Sequence, residues 1–265
     1  MAASDDRQQT PGLLATWLPG GVALTLLLAA SAGVLEMMAG PGTKWGWWHY
    51  STGFLLLRWG AQVGAATMAV GVLTLLGALW LRHWRAVGLT AVGLAVGLAM
   101  VGIPWMLLQQ ARNVPPIHDI TTDWEEPPAF QAVLPLRQGA SNPPEYEGPD
   151  VANQQRRFYA DLRPALFREA PDAVFAAARK VAAGLGWAVV AAVPEEGRLE
   201  ATATTGWFGF RDDVVVRIRP AEGGGSRVDV RSKSRVGRSD LGANAARIRR
   251  FLLGLRGAGL TPRQG

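Results

Sequence analysis

Between Arg231 and Arg256 the chain places eight basic residues against one acidic residue, a net charge of +7 within 26 positions. Cations at this density attract phosphate or carboxylate groups, because each guanidinium presents a planar fork of donors to an oxyanion. Arg231, Lys233 and Arg235 alternate, as residues on one face of a strand do, and Ser239 and Asp240 follow where a helix can begin. Free N–H groups and the positive end of the helix dipole favour anions at such a start, and Arg247 falls about two turns along. Arg231, Lys233, Arg235, Ser239, Asp240 and Arg247 are therefore the candidate ligand-binding residues, for an anionic group. A competing structural reading pairs Arg231 and Arg235 with Asp212, Asp213 or Asp229 across a sheet and leaves Asp240 as a helix cap. Trp207, Phe208 and Phe210 in TGWFGF supply apolar contacts, to a ligand or to the core.

Nucleophilic and metal chemistry have little to draw on. The chain has no cysteine, which excludes thiolate catalysis, disulfides, cysteine zinc sites and iron–sulfur ligation. His49, His83 and His118 are its three histidines and are far apart in sequence, so neither a metal nor another cofactor is expected. His118, Asp119 and Asp123 form the one cluster that could act as a base or hold a metal. It sits in proline-rich sequence with no nucleophile or glycine-rich phosphate loop beside it. The reading leans away from an enzyme and assigns no catalytic residue.

The elements that must position the basic run belong to an α+β domain over residues 158–265. A short extended piece, 162–168, precedes a helix that Pro171 can start; Val174, Phe175, Ala178, Val181 and Leu185 share one face of it. Strands follow at 187–193, 198–205, 213–219 and 227–234, the last two joined by AEGGGS, a sequence rich in turn formers. In the last strand Val228 and Val230 face one way and Arg227, Asp229 and Arg231 the other, the alternation of a half-buried strand. Ser239 or Asp240 can cap a closing helix whose Leu241, Ala245, Ile248, Leu252 and Leu255 form a stripe. The order predicts an antiparallel sheet of four to five strands with two helices on one face, helix-grip-like by analogy of element order.

Residues 112–157 read as a proline-rich connector. Eight prolines fall among the 39 positions from 112 to 150, including the doublets at 115–116, 127–128 and 143–144. Proline lacks the amide donor and turns its predecessor away from helix, so neither helix nor central strand is expected there.

Before the connector the composition changes. Uncharged runs of 28, 23 and 26 residues separate Arg7 from Glu36, Arg58 from Arg82, and Arg85 from Arg112. About 20 helical residues cross a bilayer core, so three transmembrane helices are expected, at about 13–37, 57–81 and 86–110. A net-negative start, Asp5 and Asp6 with Arg7, argues against a cleaved signal for the first. Eight of the eleven tryptophans lie in this half, and Trp45, Trp47 and Trp48 on one side with Trp80 and Trp84 on the other match interfacial belts. Gly60 with Gly64, and Gly93 with Gly97, provide smooth strips for helix packing. Glu36 and Arg58 are read as span-end charges that are solvated or paired.

GWAVV at 186–190, RLEAT at 198–202, FGFRDDVVVRI at 208–218 and RVDVRSKSRVGRSDLGANAARI at 227–248 together resemble the domain of unknown function 1499 family. The resemblance covers about residues 115–256, including HDITTD at 118–123 and PPAF at 127–130, and its most specific part is RSKSRVGRSDLGANAARI. It implies a bacterial-type protein whose domain occurs alone or behind membrane spans, and it implies no activity. The expectation is a multi-pass protein of the bacterial inner membrane whose carboxy-terminal domain is extracytoplasmic, a side chosen from the distribution of Lys and Arg around the spans. Its partners would be the bilayer and an anionic lipid or envelope polymer, with scaffolding of another envelope protein as the alternative. Nucleic acid is disfavoured, because the aromatic spacing of common RNA-binding sheets is absent.

Overall fold

A computed structural model describes residues 13–263. Asp5, Asp6 and Arg7, which carry the amino-terminal charge argument, lie outside the described residues, as do the last two of 158–265. The chain forms two units, one ending at Leu108 and the other running from Gln109 to Gly265.

The first unit holds three helices, α1 (Leu13–Lys44), α2 (Tyr50–Trp80) and α3 (Trp84–Asn113, whose last turn belongs to the second unit). All three are long and apolar enough to cross a membrane. Each is longer than its expected span, because helical hydrogen bonding continues past the apolar run; α1 proceeds through Pro41 to Lys44, a cation suited to the negative end of the dipole. Gly60, Gly64, Gly93 and Gly97 are all buried. Gly64 and Gly97 meet so closely that a Cβ on either would stand 3.2 Å from the other's carbonyl oxygen. Thr25, Thr67 and Thr74 are fully buried and return their hydroxyl protons to the carbonyl four residues earlier, so they bring no unmet donor into the bundle. Glu36 departs from the expectation. It is 4 % exposed, its Oε1 has no hydrogen-bond partner, and its Cγ fills the space that a side chain at Gly60 would need, whereas Arg58 is exposed.

The second unit is an antiparallel six-stranded sheet with helices. Its elements are β1 (Asp119–Thr121), α4 (Pro149–Phe158), β2 (Ala165–Phe167), α5 (Pro171–Gly184), β3 (Ala188–Val193), β4 (Arg198–Thr204), β5 (Arg211–Pro220), β6 (Ser226–Ser234) and α6 (Ala243–Gly257). The order across the sheet is β1-β6-β5-β4-β3, and β2 shares the outer edge of β6 with β1. Leu199, Ala201, Val214, Val216, Ile218, Val228 and Val230 face α5 and α6, where Val174, Phe175, Ala178, Ile248, Phe251 and Leu255 complete one core. The Trp187 indole stacks on Phe251 at 5.1 Å.

The proline-rich segment is where the structure corrects the sequence reading. Residues 112–157 are not a free connector: they contain β1, a 3-10 turn at Leu134–Arg137 and most of α4, and they form part of the second unit. The prolines limit regular structure to these short pieces, while side chains of the sheet supply the partners that a ladder would otherwise give. The Glu200 carboxylate accepts the N–H groups of Gln131, Ala132 and Val133 at 3.0–3.1 Å. Gln155 on α4 accepts from the Thr121 N–H and donates to its carbonyl, closing the outer edge of β1 as a neighbouring strand would. Phe130 and Val133 pack on Val215 and Val190, on the sheet face away from the helices. β6 is consequently buried on both faces rather than one.

Glu200→Ala removes one charged acceptor shared by three amides. At about 1.5–3 kcal/mol for a hydrogen bond to a charged group, a loss on the order of 3 kcal/mol is expected in urea unfolding of the full chain, together with faster amide exchange at 131–133.

Candidate functional site

β6 carries charge at every second position on the face covered by residues 112–147, and β4 and β5 add Arg198, Glu200, Asp213, Arg217 and Arg219 there; burial requires each charge to find an opposite. Asp119 on β1 receives Arg231 through both oxygens, at 2.9 and 2.8 Å, and the Lys233 ammonium at 3.1 Å. Arg231 also donates to the carbonyls of Pro128 and Pro144 and lies over the Phe130 and Tyr146 rings. Lys233, fully buried, reaches the Glu145 carbonyl at 2.7 Å and Glu147 Oε1 at 2.9 Å. His118 Nε2 lies 2.8 Å from the same Glu147 oxygen, while its Nδ1 faces the Arg238 carbonyl.

Along the sheet the pattern repeats. Asp213 accepts from Arg137 at 2.6 Å, from Arg235 and from the Thr202 hydroxyl; Arg235 and Arg137 then hold the carbonyls of Leu136 and Asn142. Asp229 and Asp123 share Arg217 and Arg227, and Arg219 bridges Asp229 to Glu126.

The six residues expected to bind an anion are thereby divided. Arg231, Lys233 and Arg235, at 2, 0 and 8 % exposure, point into the covered face and have intramolecular carboxylates. Sequence alternation could place them on one face but could not show that another segment lies over it. Ser239 accepts from Leu241 N–H, and Asp240 accepts from Gly242 and Asn244 at 2.7 and 2.9 Å, so the acid occupies the helix start in the way a cap does. Burial raises the Asp240 pKa above the ordinary carboxylate value, against the pull of those two amides.

Arg247 lies on the opposite face, under α6. It pairs with Asp212 and binds Asn244 Oδ1 and the Ser232 hydroxyl, and Ser232 in turn donates to Asn244 at 2.6 Å. His118, Asp119 and Asp123 also part company: the first two enter the Lys233 cluster, and Asp123 caps the backbone at Glu125 and Glu126 and pairs with Arg217 and Arg227. Among the described residues no group of three His, Asp or Glu is arranged to hold a metal ion.

A cleft of about 250 Å³ lies beside Arg247, between the α5–β3 turn, the end of β4 and the first half of α6. Leu185 and Trp187 give it apolar wall, Thr204 and Thr205 give it hydroxyls, and Arg247 and Arg250 give it charge. Arg250 is exposed and makes one long bond, 3.4 Å, to the Ala246 carbonyl of its own helix. Its guanidinium is thus open to an incoming anion, beside a second guanidinium already fixed by Asp212. Sequence reasoning included Arg247 and passed over Arg250. The spacing of three on one helix, which sets two side chains on one face, was the available signal.

A three-helix apolar unit joined to an antiparallel α+β domain defines the class as an α+β protein with three potential membrane spans. The family model described as protein of unknown function (DUF1499) matches residues 119–255, and the chain belongs to that family. The match takes in β1 and the proline-rich segment as well as the sheet, in line with their joint packing. A search of curated proteins found no match.

Two outcomes follow from the buried charges. Asp119→Ala leaves Arg231 with no carboxylate partner and Lys233 with Glu147 alone, so a loss of about 3–5 kcal/mol is expected in denaturant unfolding. Glu147 supplies a pH dependence: burial pushes its pKa up, but Lys233 and His118 pull it down further, leaving it below the ordinary carboxylate value. A carboxylate depressed in the folded state stabilises above its unfolded pKa and loses that contribution as pH falls through the folded one. The difference in urea midpoint between wild type and Glu147→Gln should therefore be largest near neutrality and close on acidification below about pH 4.

Proposed function

We propose that this chain is a membrane-anchored binding module whose second unit takes an anionic group, a phosphate or carboxylate of lipid or envelope polymer, in the cleft at Arg247 and Arg250. The observation that carries the reading is the pairing, in one cleft, of an arginine locked by its own carboxylate with an arginine left open to solvent. The locked one supplies a pre-positioned edge, and the open one closes on the ligand. Leu185 and Trp187 can cover the apolar part of an amphiphile while Thr204 and Thr205 offer hydroxyls to its head. Three apolar helices on the same chain support a membrane setting; the bacterial inner membrane, with the second unit on its extracytoplasmic side, is the location proposed, the side chosen from the Lys and Arg around the spans.

The test uses the full chain in nanodiscs of zwitterionic lipid, titrated with short-chain phosphatidylglycerol and, separately, with an oligouronate. Saturable binding of one of them is expected, weakened by salt and about tenfold weaker in Arg250→Glu, a change of about 1.4 kcal/mol. A preference for the lipid or for the glycan identifies the source of the anion. Binding of neither, or binding indifferent to Arg250→Glu, overturns the proposal. Alkaline phosphatase fused after Gly265 should be active in cells, and an inactive fusion beside a bright fluorescent one reverses the side.

A further inference from the structure

The sheet ends at β3, and its outer side has no neighbour among the described residues. Order across the sheet places β3 last, and no backbone hydrogen bond from another element reaches Ala188–Val193 beyond its ladder with β4. The strand reads AVVAAV, without a charge or proline among its six residues, and Ala188 and Val189 are exposed. Edges of this kind template the addition of another strand, and proteins ordinarily blunt them with lysine, proline or a covering segment.

We infer that the β3 edge pairs with the β3 edge of a second copy of this chain, antiparallel, joining two sheets across a two-fold axis. Identical strands meet without repulsion because the edge is uncharged. The flanks are complementary: Pro194–Glu196 after the strand carries Glu195 and Glu196, both exposed, and Leu185 and Gly186 before it line the cleft that holds Arg250. Antiparallel pairing sets the residues after Val193 of one copy beside those before Ala188 of the other, so each acidic turn approaches the partner's arginine cleft. Glu196 is engaged by Arg198 at 2.7 Å, which leaves Glu195 as the acid for that contact.

One feature limits the strength of the pairing. A bulge between Val189 and Ala191 breaks the ladder, so the shared edge is short and its twist locally increased. The dimer is accordingly reversible and favoured by confinement of both copies to one bilayer.

The natural chain lacks cysteine, which makes the test direct. Full-length A188C, V189C, A191C and A192C are each treated in native membranes with a short bismaleimide, and R179C, at an exposed position of α5, serves as the off-edge control. Cross-linked dimer is expected for the β3 set and not for R179C. It should fall at least fivefold when Val189→Lys is added to A191C, and fall in E195K yet recover in E195K/R250E. Urea unfolding of V189K within a few tenths molar of wild type excludes misfolding as the cause. Equal cross-linking at R179C, none along β3, or a dimer indifferent to Val189→Lys overturns the inference. The cross-links along β3 and their loss in V189K need no anionic ligand, so they stand or fall separately from ligand binding at the cleft; the E195K/R250E arm shares Arg250 with that cleft and reports only on the flanking contact.

Discussion

A charge withdrawn from water must meet an opposite charge or enough donors and acceptors to replace its hydration, and the second unit is organised around that constraint. Asp119, Asp213, Asp229 and Glu200 are fully buried on one face of the sheet, and each is met by arginine, lysine or a row of amides. The proline-rich segment is what makes the face an interior. It also supplies Asp119, Arg137, Asp123 and Glu147, so lid and floor are electrostatically complementary. Such pairs add little or no net stability against a well-packed apolar equivalent, yet breaking one leaves an unpaired charge, which makes them selective for register. A one-residue slip of β1 on β6 would turn Asp119 away from Arg231 and Lys233 towards the apolar side.

The helix face works by different physics. Its centre is apolar from Val174 to Phe251 and depends on packing, with polar groups gathered at the end where α6 begins. There Asp212, Ser232, Asn244 and Arg247 satisfy one another in a closed cluster, and Asp240 meets the free amides of the helix start. The cluster fixes Arg247 without help from outside. Arg250, one turn on, has no comparable restraint, and the contrast between a fixed and a free cation gives the cleft its character.

In the apolar unit, whose helices are long and apolar enough to cross a membrane, close packing is reached through small residues. Glycines at Gly64 and Gly97 bring backbones together, and Thr25, Thr67 and Thr74 close their hydroxyls on their own helices. Glu36 Oε1 and Thr90 Oγ1 are buried without a hydrogen-bond partner, the first on a carboxyl fitted into the recess at Gly60. A glycine there is a steric requirement of the glutamate opposite it.

Much of this was legible in the residues. Uncharged runs set the three long helices, because length and hydropathy alone decide whether a helix can span. Alternation and turn chemistry set β3 through β6, and the stripe Ala245, Ile248, Leu252, Leu255 set the packed face of α6. The alternating charges of β6 were visible too, but periodicity says which side a residue points to and nothing about what covers that side. Contacts between Asp119 and Arg231, 112 residues apart, and between Arg137 and Asp213, 76 apart, are made by chain folding back over the sheet. Tertiary structure therefore decided that the proline-rich segment is a layer, that Arg231, Lys233, Arg235 and Arg247 are all interior, and that Arg250 is exposed. The reason is that pairing of charges distant in sequence depends on distances in space, which local pattern does not encode.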